Sequence, residues 1–224
     1  MRKILCGLVI IGLAFLVSGA TAGFTTWYAS PNEPDLDKIL DNLYGLSNLE
    51  RLHDTGNGAT DQLWFNKNAT VSVEAKFSAR NHSFGYYVGD SGWNFQPLFT
   101  VAGSGYVTGV TASFTPLQSG NPFRFADKTG WLTWSSRICD NLGWMDQMIT
   151  YRITGDNNNE LSTAKPVDRY VLAWEDRSWF GDRDYNDLIV EVTGVSPVPE
   201  PATLSLLGMG LVGFAGWRLK RRKK

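Results

Sequence analysis

Beyond Leu52 the apolar residues of this chain stop recurring every third or fourth position and begin to recur every second one. Before that point Leu36, Ile39, Leu40, Leu43, Leu46, Leu49 and Leu52 follow Pro34 at helical spacing. The spacing predicts one amphipathic helix over Asp35–Leu52, with a break near Gly45 left open. After it, Val71, Val73, Ala75 and Phe77 alternate with Ser72, Glu74 and Lys76, the period of a strand with one covered face. Further strands are expected at Gln62–Asn66, Phe84–Val88, Pro97–Val101, Val107–Phe114, Pro122–Ala126 and Trp131–Ser135. Gln147–Ile153, Arg169–Trp174 and Leu188–Thr193 complete the set. Turn residues such as Asp90-Ser91-Gly92 and Gly120-Asn121-Pro122 punctuate the gaps. Many short strands and a single helix predict a mainly β fold, an antiparallel β-sandwich of jelly-roll type.

Both ends of the chain are apolar in a different way. Arg2-Lys3 precede an apolar run from Ile4 to Val17, and Ala20-Thr21-Ala22 offers a small-residue cleavage site. Residues 1–22 therefore read as a signal peptide, which places the remainder outside the cytoplasm. At the other end Val198-Pro199-Glu200-Pro201 leads into an apolar run from Ala202 to Trp217. Its 16 residues span about 24 Å as a helix, short of a typical bilayer unless Leu219 and the stems of Arg218 and Lys220 extend it. Six Lys/Arg among the last seven residues hold that end in the cytoplasm. The expected organisation is a signal peptide at 1–22, a β-sandwich domain at 23–194 and a Pro-rich linker at 195–201. A transmembrane helix with a basic tail at 202–224 closes the chain.

This C-terminal order of Pro199, Glu200 and Pro201, a glycine-bearing apolar span and a basic cluster resembles a PEP-CTERM sorting signal. The resemblance implies processing near Pro199-Glu200-Pro201 by an exosortase-type membrane protease in a Gram-negative-type envelope. It also implies release or transfer to the cell surface or an exopolysaccharide matrix.

Charge separates along the chain. Of 21 Lys/Arg, two lie in the signal and six in the tail, leaving 13 between them. Of 22 Asp/Glu only Glu200 lies past residue 199, leaving 21 and a net charge of −8 for the domain. An acidic exported domain argues against nucleic acid and for cations. Cys139 is the only cysteine between the two end segments, so no intrachain disulfide framework is available.

The acid concentrates in one loop. Between the apolar strands ending at Trp174 and starting at Leu188, five carboxylates fall within 13 residues, partly offset by Arg177 and Arg183. Asp182-x-Asp184-x-Asn186 has the alternating oxygen spacing with which a tight loop wraps a hard cation, and Glu175 and Asp176 stand ready on the opposite side. The other reading of the spacing is a solvated acidic hairpin with internal Asp–Arg pairs. The wider string, a strand followed by Glu-Asp and then Gly-Asp-Arg-Asp-Tyr-Asn-Asp, resembles the closing hairpin of an uncharacterised domain family of exported bacterial proteins. That family is thought to bind calcium through this motif. The resemblance implies Ca²⁺ as the cofactor, with Glu175, Asp176, Asp182, Asp184, Asn186 and Asp187 as the matching ligands.

Catalytic signals are poor. Gly89-Asp90-Ser91-Gly92 spells a serine-protease tetrapeptide, but only His53 lies well upstream of that Ser in the mature chain and no double barrel fits there. Two histidines are too few for a His-rich zinc site, and Cys139 reads as a lone thiol. A glycoside hydrolase built on Glu74, Glu175 or Asp184 is the leading enzyme alternative. A carbohydrate-binding module needs only an aromatic platform among Trp93, Trp131, Trp134 and Trp144. Core packing is the favoured use of Trp131 and Trp134, and Trp179 is the expected exposed glycan contact. The expected protein is therefore a non-catalytic, calcium-stabilised surface or matrix component. Its partners would be the membrane, the processing enzyme and extracellular polysaccharide.

Overall fold

The computed structural model describes residues 23–25, 33–52, 61–91, 93–115, 121–155, 168–177 and 183–198. The signal peptide, Asp182, Trp179, the Pro199-Glu200-Pro201 motif and the apolar tail of the sequence analysis lie outside the described residues. The one described α-helix is α1 (Leu36–Tyr44), which buries Leu36, Ile39, Leu40 and Tyr44 at helical spacing. Gly45 ends it at φ 72°, ψ 122°, where its backbone N–H donates to the Asp41 carbonyl.

The helix is thus shorter than its leucine spacing predicts. A 3₁₀ turn at Leu46–Asn48 and strand β2 (Leu49–Arg51) replace its second half. Leu46 is left exposed, and Leu52 is buried in a core cluster separate from the one beneath the helix. The leucines recur every three residues past Gly45 as well, but a backbone turned out of the α region cannot carry a helical face onward.

The remaining elements are strands, each pairing antiparallel to its neighbours. In chain order they are β1 (Gly23–Thr25), then β3 (Trp64–Lys76), β4 (His82–Val88), β5 (Phe95–Val101), β6 (Gly105–Thr108) and β7 (Thr111–Phe114). They continue as β8 (Phe123–Thr129), β9 (Leu132–Ser135), β10 (Met148–Ile153), β11 (Arg169–Trp174) and β12 (Leu188–Pro197). The hydrogen-bonded path runs β2-β10-β11-β12-β3-β8-β4-β5, with β6 and β7 also on β3, β1 on β6 and β9 on β8. Strand β3 meets β8 at one pair only, Trp64 with Phe123. That single link is a corner. Phe84 of β4 lies 6.1 Å from Trp174 of β11, and Trp64 of β3 lies 5.4 Å from Phe125 of β8, so the two halves of the path close face to face. The core between them is aromatic, with Phe84, Phe99, Phe123, Phe125, Trp134 and Trp174 all buried. The mainly β expectation with one helix is met.

Two expected strands, Gln62–Asn66 and Val71–Phe77, are one long β3. Its alternating apolar residues do not all share one face. Val71 and Val73 enter the aromatic core, whereas Ala75 and Phe77 pack with Ile39, Leu40 and Tyr44 under α1. The cause is a register shift: Val190 pairs with Val73 but Ile189 pairs with Ala75, leaving Glu74 as the extra residue of a bulge. Past the bulge the same parity faces the other side. A second shift lies where Gly194 (φ 70°) crosses Asn68 (φ 119°). A Cβ on Gly194 would stand 2.4 Å from the Asn68 carbonyl oxygen, so only glycine fits the crossing. Likewise the expected Val107–Phe114 strand is split into β6 and β7 at Gly109 (φ 76°).

Of the two tryptophans expected in the core, Trp134 is buried and donates from Nε1 to the Asp176 carbonyl at 3.0 Å. Trp131 is 86% exposed, because it sits in the turn between β8 and β9. The β4–β5 pairing carries its own shift at Phe84/Gly85, where an added Cβ would meet the Gln96 carbonyl oxygen at 2.1 Å. Gly85→Ala is therefore expected to lose about 1–3 kcal/mol of stability, read by urea denaturation against the wild type.

Candidate metal site in the loop between β11 and β12

Strands β11 and β12 make their last pair at Trp174 and Leu188, and the residues just beyond it are Glu175 and Asp176 on one side and Asp187 on the other. Backbone bonds fix both sides. Glu175 N–H donates to the Gln147 carbonyl at 3.0 Å, and Phe77 N–H donates to the Asp187 carbonyl at 3.3 Å. Asp176 N–H donates to Asp187 Oδ2 at 2.7 Å, and Arg177 N–H to Glu175 Oε1 at 3.1 Å. The result is one carboxylate oxygen each from Glu175, Asp176 and Asp187, all within 4.8 Å of one another. Two carboxylates that close repel by about 3 kcal/mol at an effective dielectric of about 20. Glu175 and Asp176 are buried, and Asp187 is half-buried.

Neighbouring donors and cations oppose that repulsion. Ser78 Oγ donates to Asp176 Oδ2 at 2.5 Å. The Nε2 of His82 stands 3.6 Å from the same oxygen, an ionic contact too long for a hydrogen bond. His82 in turn holds Asp127 Oδ2 through Nδ1 at 2.7 Å, and both side chains are fully buried. Burial by itself would strip His82 of its proton. The charge and hydrogen bond of Asp127, together with Asp176, outweigh burial and the opposing charge of Lys76, and lift His82 from 6.5 to about 9. Burial likewise pushes Asp176 upward, but His82, Ser78 and Arg80 override it and hold its carboxyl below the usual range. Asp187 has less help. Burial first, then the charges of Asp176 and Glu175, raise it to about 7 despite the Asp176 backbone donor.

The donor set fits a hard divalent cation. Ligand oxygens on opposite sides of a Ca²⁺ ion stand about 4.6–5.2 Å apart, twice the usual Ca–O distance, so a trio within 4.8 Å can share one centre. All three donors are carboxylate oxygens, the chemistry that suits Ca²⁺, Mg²⁺ or Mn²⁺ rather than zinc or copper. Asp176, 2% exposed, also keeps Oδ1 without a hydrogen bond; its nearest cations are Arg80 at 3.7 Å and Arg177 at 3.9 Å.

Of the six ligands implied by the motif, the structure gathers Glu175, Asp176 and Asp187. Asp184 falls outside that trio and lines the cleft beside it. Asn186 turns its Nδ2 to Asp184 Oδ2 at 2.7 Å and to the Pro34 carbonyl at 3.0 Å, which ties the loop to the start of α1. The buried Oδ1 of Asn186 makes no hydrogen bond. Asp182, the sixth ligand implied, lies outside the described residues, as does the expected glycan contact Trp179. The enzyme candidate Glu74 belongs to another cluster: it accepts from Ser72 at 2.5 Å, and burial, with Glu191 adding to it, raises its carboxyl. Sequence reasoning missed Ser78, His82 and Asp127. Their one visible signal was a histidine and two polar residues inside otherwise strand-like stretches.

Residues 197–222 match the PEP-CTERM protein-sorting motif. The match contains Pro199, Glu200 and Pro201 and covers the expected sorting segment, so the chain carries the signal of an exported protein handled by an exosortase and anchored at the cell envelope. No helix among the described residues is long and apolar enough to cross a membrane. No curated protein matches the chain. Among solved structures, it is similar to the Chromobacterium violaceum lectin CV2L in complex with α-methyl-fucoside. The two share 17% identity at a TM-score of 0.37, over 62% of this chain and 99% of that one. The C-terminal domain of the lectin BC2L-C from Burkholderia cenocepacia is similar at 15% identity and a TM-score of 0.35, over 62% of this chain and 97% of that one. Likeness at this level carries no ligand across.

The His82 pair sets a pH dependence. A histidine raised from 6.5 to about 9 adds stability that is complete below pH 6.5 and is lost as pH rises through 9. In calcium-free buffer the protein is expected to lose at most about 3 kcal/mol between those limits, as seen by urea denaturation. His82→Gln should flatten that slope while lowering stability at pH 6.

Proposed function

We propose that this chain is an exported surface or extracellular-matrix protein without catalytic activity, whose loop between β11 and β12 is ordered by Ca²⁺. The observation that carries the reading is the convergence of three carboxylates within 4.8 Å in a largely buried setting. The resemblance of this loop to the calcium motif of exported bacterial domains supports the same ion. Bound there, calcium supplies two positive charges to a site that otherwise holds more negative charge than His82 can balance. Asp176 is set for it by Ser78 and His82, Asp187 by the backbone of Asp176 and Phe77, and Glu175 by the strand pairing of β11 with β10.

A structural role also agrees with where the loop is attached. Asn186 holds the Pro34 carbonyl, and Tyr185 packs against the cluster under α1 while donating to the Asp146 carbonyl at 3.1 Å. Ordering the loop therefore secures the helix and the β10 end together. A glycoside hydrolase needs two carboxylates flanking an open sugar site about 5–10 Å apart. Glu74, held by Ser72 and facing Glu191 and Tyr44, is poorly suited to that use.

Saccharide binding is the second reading. Trp93, Trp131 and Trp144 are 67%, 86% and 76% exposed, and exposed indole faces stack on sugar rings.

Calorimetry of the full chain tests the first reading. Millimolar calcium should be taken up and should raise the melting temperature; at 100 times Kd the gain is about 2.7 kcal/mol. Asp187→Asn should abolish both effects yet leave stability in chelator unchanged or higher, because it removes a carboxylate already strained by its neighbours. No uptake at millimolar calcium, or equal losses with and without chelator, overturns the ligand role.

A further inference from the structure

We propose that the cleft adjoining this trio is a binding site for a neutral saccharide bearing vicinal hydroxyls, an inference that rests on the calcium reading above. The cleft has a volume of about 720 Å³, within the range of small-ligand pockets. Among the described residues, three parts of the chain line it: the start of α1 with Lys38, the β3–β4 turn with Ser78 and Arg80, and the loop with Asp176, Arg177, Asp184 and Asp187.

Its lining defines the ligand class. Ala79 is the only apolar residue among the described residues that line it, so an apolar guest would find no surface to cover. Carboxylates and guanidinium groups lie side by side in the wall, which suits hydroxyls because each both donates and accepts. An anion is disfavoured. The described lining carries five carboxylates against Lys38, Arg80 and Arg177, and Glu175 adds a sixth, so even a bound divalent ion leaves the region at about −1.

Two further features point to an incomplete shell. Asp176 is 2% exposed, lines the cleft and keeps Oδ1 without a hydrogen bond. Arg80 Nη1 donates to the Asp176 carbonyl at 3.4 Å and approaches Oδ1 only at 3.7 Å, Arg177 Nε stands 3.9 Å from Oδ1, and the two side chains are 44% and 59% exposed, so the outer edges of both guanidinium groups face solvent. Among the described residues, the three carboxylates offer at most six oxygens, the low end of the six to eight that calcium takes. Adjacent sugar hydroxyls provide two such oxygens at once, with their hydrogens directed to Asp184 and Asp187 and their outer edges to Arg80 and Arg177.

The test is isothermal titration of the full chain in a sugar-free detergent, first with calcium alone and then with sugar added to the loaded protein. Methyl α-mannoside or methyl β-galactoside should bind in calcium and not in chelator, and methyl 3-deoxy-α-mannoside, in which no two hydroxyls are vicinal, should bind at least about tenfold more weakly. Arg80→Gln and Arg177→Gln should keep or strengthen calcium uptake, since each removes a cation beside the site, while weakening the sugar about tenfold or more. Calcium uptake with no sugar binding overturns this proposal and leaves the calcium reading standing. Sugar binding that survives chelator or both arginine substitutions overturns it as well, as does tighter binding of galacturonate than of the galactoside. Absence of calcium uptake overturns both.

Discussion

Like charges brought together inside a folded domain must be opposed by something, and here the opposition is visible in named groups. Glu175, Asp176 and Asp187 share one small volume, and no single neighbour neutralises them. Asp176 is held ionised by His82, Ser78 and Arg80, whereas Asp187, with fewer partners, is pushed to about 7. This asymmetry is the signature of a site only half balanced by protein. The buried His82–Asp127 pair contributes to the balance from inside the core, because Asp127 keeps His82 protonated 3.6 Å from Asp176 Oδ2.

The fold supplies the means. The bulge at Glu74 turns the end of β3 so that Phe77 packs beneath α1 and its backbone bonds to Asp187, while the next residue, Ser78, reaches Asp176. Trp134, buried from β9, holds the Asp176 carbonyl from the other layer. The site is thus assembled from the end of β3, the start of β4, the loop after β11 and a tryptophan of the opposite layer. Helix α1 closes it through Pro34 and Asn186. The described ends of the acidic loop are in this way fastened to both hydrophobic clusters, Asp176 through Trp134 and Tyr185 by packing beneath α1.

Much of the architecture was readable from period alone. The sequence pattern placed β10 and β11 to within a residue and the starts of β8 and β12 likewise, although β8 runs on to Thr129 and β12 to Pro197, and the aliphatic spacing placed α1 to Tyr44. The errors have one physical origin. Periodicity assumes an uninterrupted backbone, and Gly45, Gly109 and the Glu74 bulge each interrupt it. The acidic loop itself was evident from its charge density, and three of its carboxylates do converge. Asp184 was equally visible in sequence but stands in the cleft wall, bonded to Asn186. Spacing gives reach along the chain and says nothing of where the loop folds back.

What the chain determines by itself is its destination, its strand-rich class and the presence of excess negative charge between two apolar strands. Those depend on local composition and order, which a linear code states directly. What tertiary structure decides is which charges meet. His82 and Asp127 are 45 residues apart and Ser78 and Asp176 are 98 apart, so their contacts exist only once β4 is paired with β8 and β11 faces them across the closed core. Electrostatic energy depends on distance through space, and that distance is set by the packing of the aromatic interior.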